Sequence, residues 1–177
     1  MQASEFSERI TALLPTLNRV ALSQLRRWVE AQDAVLECVA RAWEKREQLR
    51  EPRFFNTWAI RILLNICHDI QRRERHEPLL FGTDENSDVR EGRSATRALI
   101  EAPEPVDEEQ LDRLREALFS LDERTRLILM LFYVEGYRVQ EIGQLLEMRS
   151  GSVRSRLSRG RAELRRRMDS ALKRIER

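Results

Sequence analysis

A chain of 177 residues is enough for one medium domain or two small ones. It is 41% hydrophobic and 35% charged, and its 32 basic and 30 acidic residues leave a formal charge of only +2, so net charge selects no class of partner. No apolar run reaches the length of a membrane span and the N-terminal MQASEFSERI lacks a signal-peptide pattern, so a cytoplasmic protein with no stable membrane insertion is expected.

The cations are more informative by type than by total. Only Lys45 and Lys173 are lysines; every other one is arginine, whose planar fork matches phosphates and base edges. Cys38 and Cys67 both fall in apolar-periodic segments and read as buried thiols in a reducing compartment. The spacing of Cys67, His68 and His76 matches no common ligand pattern, so no metal and no cofactor are expected.

Residues 4–76 read as helices. Leu13, Leu14, Leu17, Val20, Ala21 and Leu25 recur at helical spacing, and so do Val35, Val39, Ala42 and Trp43. EPRFF interrupts the pattern, because Pro52 opens a helix but does not sit well inside one. A third helix then runs from about Phe54 to Arg73, with Trp58, Ile62, Ile66 and Ile70 on its apolar face and Ala59, Leu63 and Cys67 alongside. Trp58 shares that stripe, which favours core packing over stacking on unpaired bases.

From Glu77 to Val106 the periodicity stops. The segment is net acidic and holds turn formers and prolines, so it reads as a linker, with one short helix around Ser94 to Ile100. Thirty flexible residues average roughly 30 Å end to end and reach at most about 100 Å.

Helical spacing returns with Leu111, Leu114, Leu118 and Leu121. The run Ser120-Leu-Asp-Glu123 has the form of a capping box and places a helix start there. The cap before LILMLFYV and Gly136 after it favour a helix buried on most sides over a strand. A short helix from Val139 to Leu146, a break, and a long helix from about Ser150 follow. The fold class is therefore all-α: two small helical domains, residues 1–76 and 107–177, joined by a linker over 77–106.

The last helix carries the strongest functional signal. At 100° per residue, Val153, Leu157, Leu164 and Met168 form an inward stripe with Gly160 on the same side; Ser155, Ser158 and Arg159 lie opposite, with Arg154 on a flank. A short helix, a tight break and a longer helix of this kind make a helix-turn-helix, whose second helix enters the DNA major groove. Small serines let the backbone approach, while arginines supply bidentate contacts and counterion release. A purely solvated helix is a poor explanation for eight arginines against one acid, Glu163, between Arg149 and Arg167.

Residues 114–165, LREALFSLDERTRLILMLFYVEGYRVQEIGQLLEMRSGSVRSRLSRGRAELR, resemble region four of bacterial sigma factors of the extracytoplasmic-function group. QDAVLECVARAW followed by FNTWAIRILLNICHDIQRR resembles their region two. The resemblance implies a factor that binds core RNA polymerase and directs it to promoter DNA. Region two would bind the polymerase clamp, recognise the minus-ten element and hold melted strand, and region four would read the minus-thirty-five element. Those elements lie roughly two helical turns apart, about 70 Å along the duplex, within reach of two tethered domains.

By the same resemblance, Arg154, Ser155, Ser158 and Arg159 take minus-thirty-five reading positions. Ser152 stands where a threonine is usual near the helix N-terminus, a site suited to phosphate. Asp33 matches a clamp-binding acid, with Glu37 and Arg41 on the same helix surface. Asn65, Arg72 and Arg73 match the helix used at the minus-ten element, Asp69 a neighbouring acid expected to order arginines, and the loop Arg46 to Arg53 the place where a flipped base is captured.

Four positions depart from the family pattern. Leu36 replaces a glutamine in the polymerase-binding helix, Arg138 a serine or threonine cap, and Glu147 a turn glycine. Gly143 replaces an alanine at a close helix contact and is expected to fit. Family members are commonly held inactive by an anti-sigma protein, which makes such a protein a further expected partner. The competing reading is a helix-turn-helix regulator acting without polymerase. An enzyme is not expected, because neither the histidines nor the cysteines form a catalytic constellation and no glycine-rich phosphate loop is present.

Overall fold

The computed structural model describes residues 1–76 and 108–175, with the side chains of 1–73 and 109–169. The segment read as a linker, and the short helix expected around Ser94 to Ile100, lie outside the described residues. Every regular element among the described residues is helical. The chain divides into two compact units, Met1–Ile100 and Glu101–Arg177.

The first unit packs α1 (Ala3–Gln24), α2 (Trp28–Glu44) and α3 (Phe55–His76) against one another. Phe6, Ile10, Leu13, Leu17 and Val20 form the buried face of α1. The buried face of α2 consists mostly of small side chains, Ala31, Ala34, Cys38 and Ala42, which lets its neighbours approach closely. Pro15 lies inside α1, where it removes one hydrogen bond to the carbonyl of Thr11. Both residues are exposed, so water is available to that carbonyl. Cross-links between elements are polar at the margins: Gln32 Nε2 donates to Asn18 Oδ1 at 3.0 Å, and Gln71 Nε2 to the Gln24 carbonyl at 2.9 Å.

The seam of α3 differs from the expected one. Its buried residues are Phe55, Ala59, Ile60, Leu63, Leu64, Ile66 and Cys67, whereas Trp58, Ile62 and Ile70 are only half-buried. Two partner helices draw a wider arc of α3 inward, centred one position away from the Trp58 stripe. Phe55 anchors that arc, edge-on to Phe6 at 5.8 Å and tilted against Trp58 at 5.9 Å. Cys38 donates to the Ala59 carbonyl at 3.4 Å, and burial pushes its thiol up to about 12. Cys67 is buried while the adjacent His68 is exposed.

The second unit comprises α4 (Glu108–Phe119), α5 (Glu123–Leu129), α6 (Val139–Leu145) and α7 (Ser150–Ile175). Ser120 does not open α5. Its hydroxyl turns back to the Ala117 carbonyl at 2.6 Å and closes α4, and the N-cap is Asp122, whose carboxylate accepts from the Thr125 amide at 3.0 Å. The buried Arg126 donates to the Phe119 carbonyl at 3.2 Å, tying the end of α4 to α5. After Leu129 the helix widens into a π-turn over Met130–Val134 and ends at Gly136, which has a left-handed φ of 70°. Burial follows this change: Leu127, Ile128, Leu129 and Leu131 are in the core, while Tyr133 and Val134 are exposed.

The turn between α6 and α7 is a Schellman-type end. The Met148 amide donates to the Gly143 carbonyl at 2.8 Å, and Glu147 occupies the left-handed position with φ 54°. A Cβ on Gly143 would stand 2.7 Å from the Met148 carbonyl oxygen, so the turn comes closer here than alanine permits. At the start of α6, the guanidinium of Arg138 has no lone pair for a helix amide. Only the returning half of a capping box forms, with the Arg138 amide donating to Glu141 Oε2 at 2.7 Å.

Two substitutions separate room from strain at this turn. Gly143→Ala is expected to destabilise the second unit by about 1–3 kcal/mol through overpacking, and Glu147→Gly to stabilise it by about 1 kcal/mol through relief of the left-handed penalty. Urea unfolding of the full chain measures both.

Candidate nucleic-acid interface

The outward face of α7 is set by what its inward face must pack against. Val153, Leu157 and Gly160 are buried, Leu164 and Met168 half-buried. Gly160 is the point of closest approach, since a Cβ there would stand 2.5 Å from Thr125 Cγ2 and 3.2 Å from Leu129 Cδ1. Ser152, Arg154, Ser155, Ser158 and Arg159 are consequently all exposed and share one side of the helix.

Sequence reasoning overlooked Arg156, the fastener of this arrangement. It is half-buried, and its Nη1 donates to Asp122 Oδ1 at 3.0 Å and to Thr125 Oγ1 at 3.1 Å. One guanidinium thus joins α7 to the N-cap of α5. Burial alone would raise the Asp122 carboxyl, but hydrogen bonds from Thr125 and the charge and hydrogen bond of Arg156 together hold it below its ordinary value. Nothing in the spacing sets it apart from the other arginines of the helix; only the location of the α5 cap reveals its role. A further tie joins Arg161 Nη1 to the Tyr133 hydroxyl at 3.2 Å.

In the first unit, the residues singled out on α2 lie together. Asp33 and Glu37 are exposed, Arg41 is half-buried, and Arg41 pairs with Glu37. Leu36, between the two acids, is 69% exposed, and Trp43 continues the apolar surface with Arg46 stacked 3.9 Å above its ring. On α3, Asn65, Arg72 and Arg73 are exposed, and Asp69 pairs with Arg72 at 3.0 Å. Arg61 and His68 stand on the same exposed stripe, four residues before and three after Asn65. The sequence alone led to Arg61 being passed over and to His68 being weighed only as a metal ligand, although their helical spacing from Asn65 was available. The loop Arg46–Arg53 is largely exposed and bracketed by two short 3₁₀ turns, Arg46–Gln48 and Pro52–Phe54. Among the described residues, no group of three or more histidine, cysteine and acidic side chains gathers as a metal site would require.

Comparison with known proteins bears on both units. Residues 9–77 match the family model for sigma-70 region 2, and residues 111–164 that for sigma-70 region 4. The RNA polymerase sigma-H factor of Pseudomonas aeruginosa is 30% identical over 135 residues, 75% of this chain and 69% of that protein. The extracytoplasmic-function sigma factor SigW of Bacillus subtilis is 27% identical over 144 residues, 78% of this chain and 75% of SigW. The chain belongs to the extracytoplasmic-function group of RNA polymerase sigma factors.

The probable sigma factor RfaY of Xanthomonas campestris is 33% identical over 156 residues; this chain matches only 38% of its length. The fold agrees with that of the sigma factor RpoE of Bartonella quintana, solved with the anti-sigma factor NepR, at a TM-score of 0.73 and 19% identity over 94% of this chain and 98% of that one. As a sigma factor, the chain presents region 2 as α1–α3 and region 4 as α4–α7. The reading as a regulator without polymerase is not favoured, because α2 and α3 fall within a region-2 match that a bare helix-turn-helix lacks.

The Asp122 cap gives a pH-dependent expectation. A depressed folded pKa contributes stability above the unfolded value, about 3.9 for aspartate, and that stability is lost as pH falls through the folded value. Asp122→Asn keeps a capping oxygen and is expected to flatten the acid limb of region-4 stability, while Asp122→Ala costs about 1 kcal/mol at neutral pH as well. Thermal unfolding between pH 3 and 7 distinguishes them.

Proposed function

We propose that the chain binds core RNA polymerase through the α2 surface around Asp33, Leu36, Glu37 and Arg41. On this reading, Asn65, Arg72 and Arg73 of α3 serve the minus-ten element, and Ser152, Arg154, Ser155, Ser158 and Arg159 of α7 serve the minus-thirty-five element. The functional units run over residues 1–76 and 107–177, with 77–106 between them. The observation that carries the α7 assignment is its division into two sides: Gly160 and Arg156 are committed to α5, which leaves the serine and arginine side accessible to a groove.

The α2 surface suits a partner that offers both apolar contact and cations. Leu36 stands exposed between two acids, so the glutamine-type polar contact of relatives is replaced by burial of a leucine. The chain itself carries out no chemistry in this reading; polymerase does, and the factor contributes docking and recognition. Its workplace is the cytoplasm, consistent with the absence of any described helix long and apolar enough to cross a membrane. The anti-sigma factor in the Bartonella complex makes a regulator of that class a proposed partner for this chain too.

Mixing the purified chain with core polymerase on fragmented genomic DNA tests the reading, with transcript starts mapped by sequencing. Discrete starts that share upstream elements and require the chain are expected. DNA binding without new transcripts would instead support the polymerase-independent regulator. Arg154→Ala is expected to cost about 1–3 kcal/mol at one base of the upstream element and to relax the choice there. Equal weakening on all sequences would reassign Arg154 to phosphate.

A further inference from the structure

The outward face of α7 does not stop at Arg159. With 3.6 residues per turn, Ser155, Arg159, Ala162 and Arg166 fall within about 60° of arc, and all four are exposed. Arg166 is seven residues beyond Arg159, about 10 Å along the axis. A major groove is about 12 Å wide, so a helix reading bases with its first turns brings a side chain that far along to the flanking phosphates. Ala162, the smallest chiral side chain, sits between the two arginines and lets the face pass close to the backbone.

Beside this extension stands the one acid of the Arg149–Arg167 stretch. Glu163 holds Arg166 through Oε2 and accepts from Arg167 Nε through Oε1 at 2.8 Å. The Arg166 hydrogen bond foremost, and then that of Arg167, hold its carboxyl below its ordinary value. Arg166 is 75% exposed at its side chain, so an approaching polyanion can reach it.

We propose that Arg166 takes a DNA phosphate at the far edge of the groove read by α7, and that Glu163 is a built-in competitor for it which must give Arg166 up on binding. The inference rests on the reading of α7 as the promoter-reading helix. The contact is indifferent to sequence: it sets how strongly region 4 holds DNA and leaves base choice to residues such as Arg154. The internal acid lowers affinity everywhere and makes it depend on a rearrangement of one ion pair. A phosphate gained by Arg166 adds one displaced counterion to the salt dependence, and Glu163 opposes that gain in the free chain.

Binding of the full-length chain to duplexes with a randomised centre, followed across a salt series, tests this directly. Arg166→Gln is expected to weaken binding about fivefold at 0.1 M salt, roughly equally for all selected sequences, and to reduce the slope against salt by about 0.9. Glu163→Gln is expected to strengthen binding about two- to fivefold, and most of that gain should vanish when Arg166→Gln is also present. Arg165→Gln removes the same charge about 100° away on the helix and is expected to lose less. Equal losses for Arg165→Gln and Arg166→Gln, or an undiminished Glu163→Gln gain in the double variant, would overturn the inference. If Arg154→Ala relaxes base choice while Arg166→Gln is silent, the promoter-reading helix stands and the inference alone fails. If the unsubstituted chain holds no duplex, both fall.

Discussion

The contact between Gly160 and Thr125 governs region 4. A helix can present a reading face only if its opposite side is held in a fixed orientation, and here α7 lies so near α5 that no side chain fits between them. Arg156 locks the rotation by binding Thr125 and the Asp122 cap together. Hydrophobic burial of Val153 and Leu157 supplies most of the attraction, but burial is non-directional. The hydrogen-bonded guanidinium and the absent Cβ convert that attraction into one register, and so decide which arginines face outward.

Region 2 solves a similar problem by other means. Alanines and Cys38 on the inner side of α2 bring α1 and α3 close, and the cost of so small an apolar face is met by large side chains opposite, Leu17, Phe55 and Leu63 among them. The outer side of α2 is thereby left for residues with no part in the core: two acids, an arginine and a leucine whose exposure has no structural explanation within the unit. Exposed apolar area amid charge is the usual composition of a surface that meets a protein.

How much of this was legible in the sequence differs by residue and for physical reasons. The inward stripe of α7 follows directly from period and apolar character, and α4, α5 and α6 all pack against that one side. The α3 stripe does not: Trp58, Ile62 and Ile70 are only half-buried, and the buried arc between α1 and α2 extends to Ile60 and Leu64. Ser120 and Asp122 are both good caps by composition; which one opens α5 depends on Ser120 being drawn back to Ala117, a choice the residue pattern does not encode. The left-handed Glu147 follows from the position where a glycine is usual, but the tightness at Gly143 is a matter of tenths of an ångström in the turn. Arg156 shows the limit most plainly: eight arginines look alike until the cap of another helix selects one.

Both thiols of the chain lie in the core of region 2, and Cys38 remains a protonated thiol up to strongly alkaline conditions. Electrophiles and mild oxidants therefore meet no accessible thiolate while the unit stays folded. A cysteine introduced on the outer side of α2 or α7 would be the sole chemically addressable position, so a dye or spin label could be placed without first removing the native pair. The same seclusion makes alkylation of the native pair a direct clock for the opening of region 2.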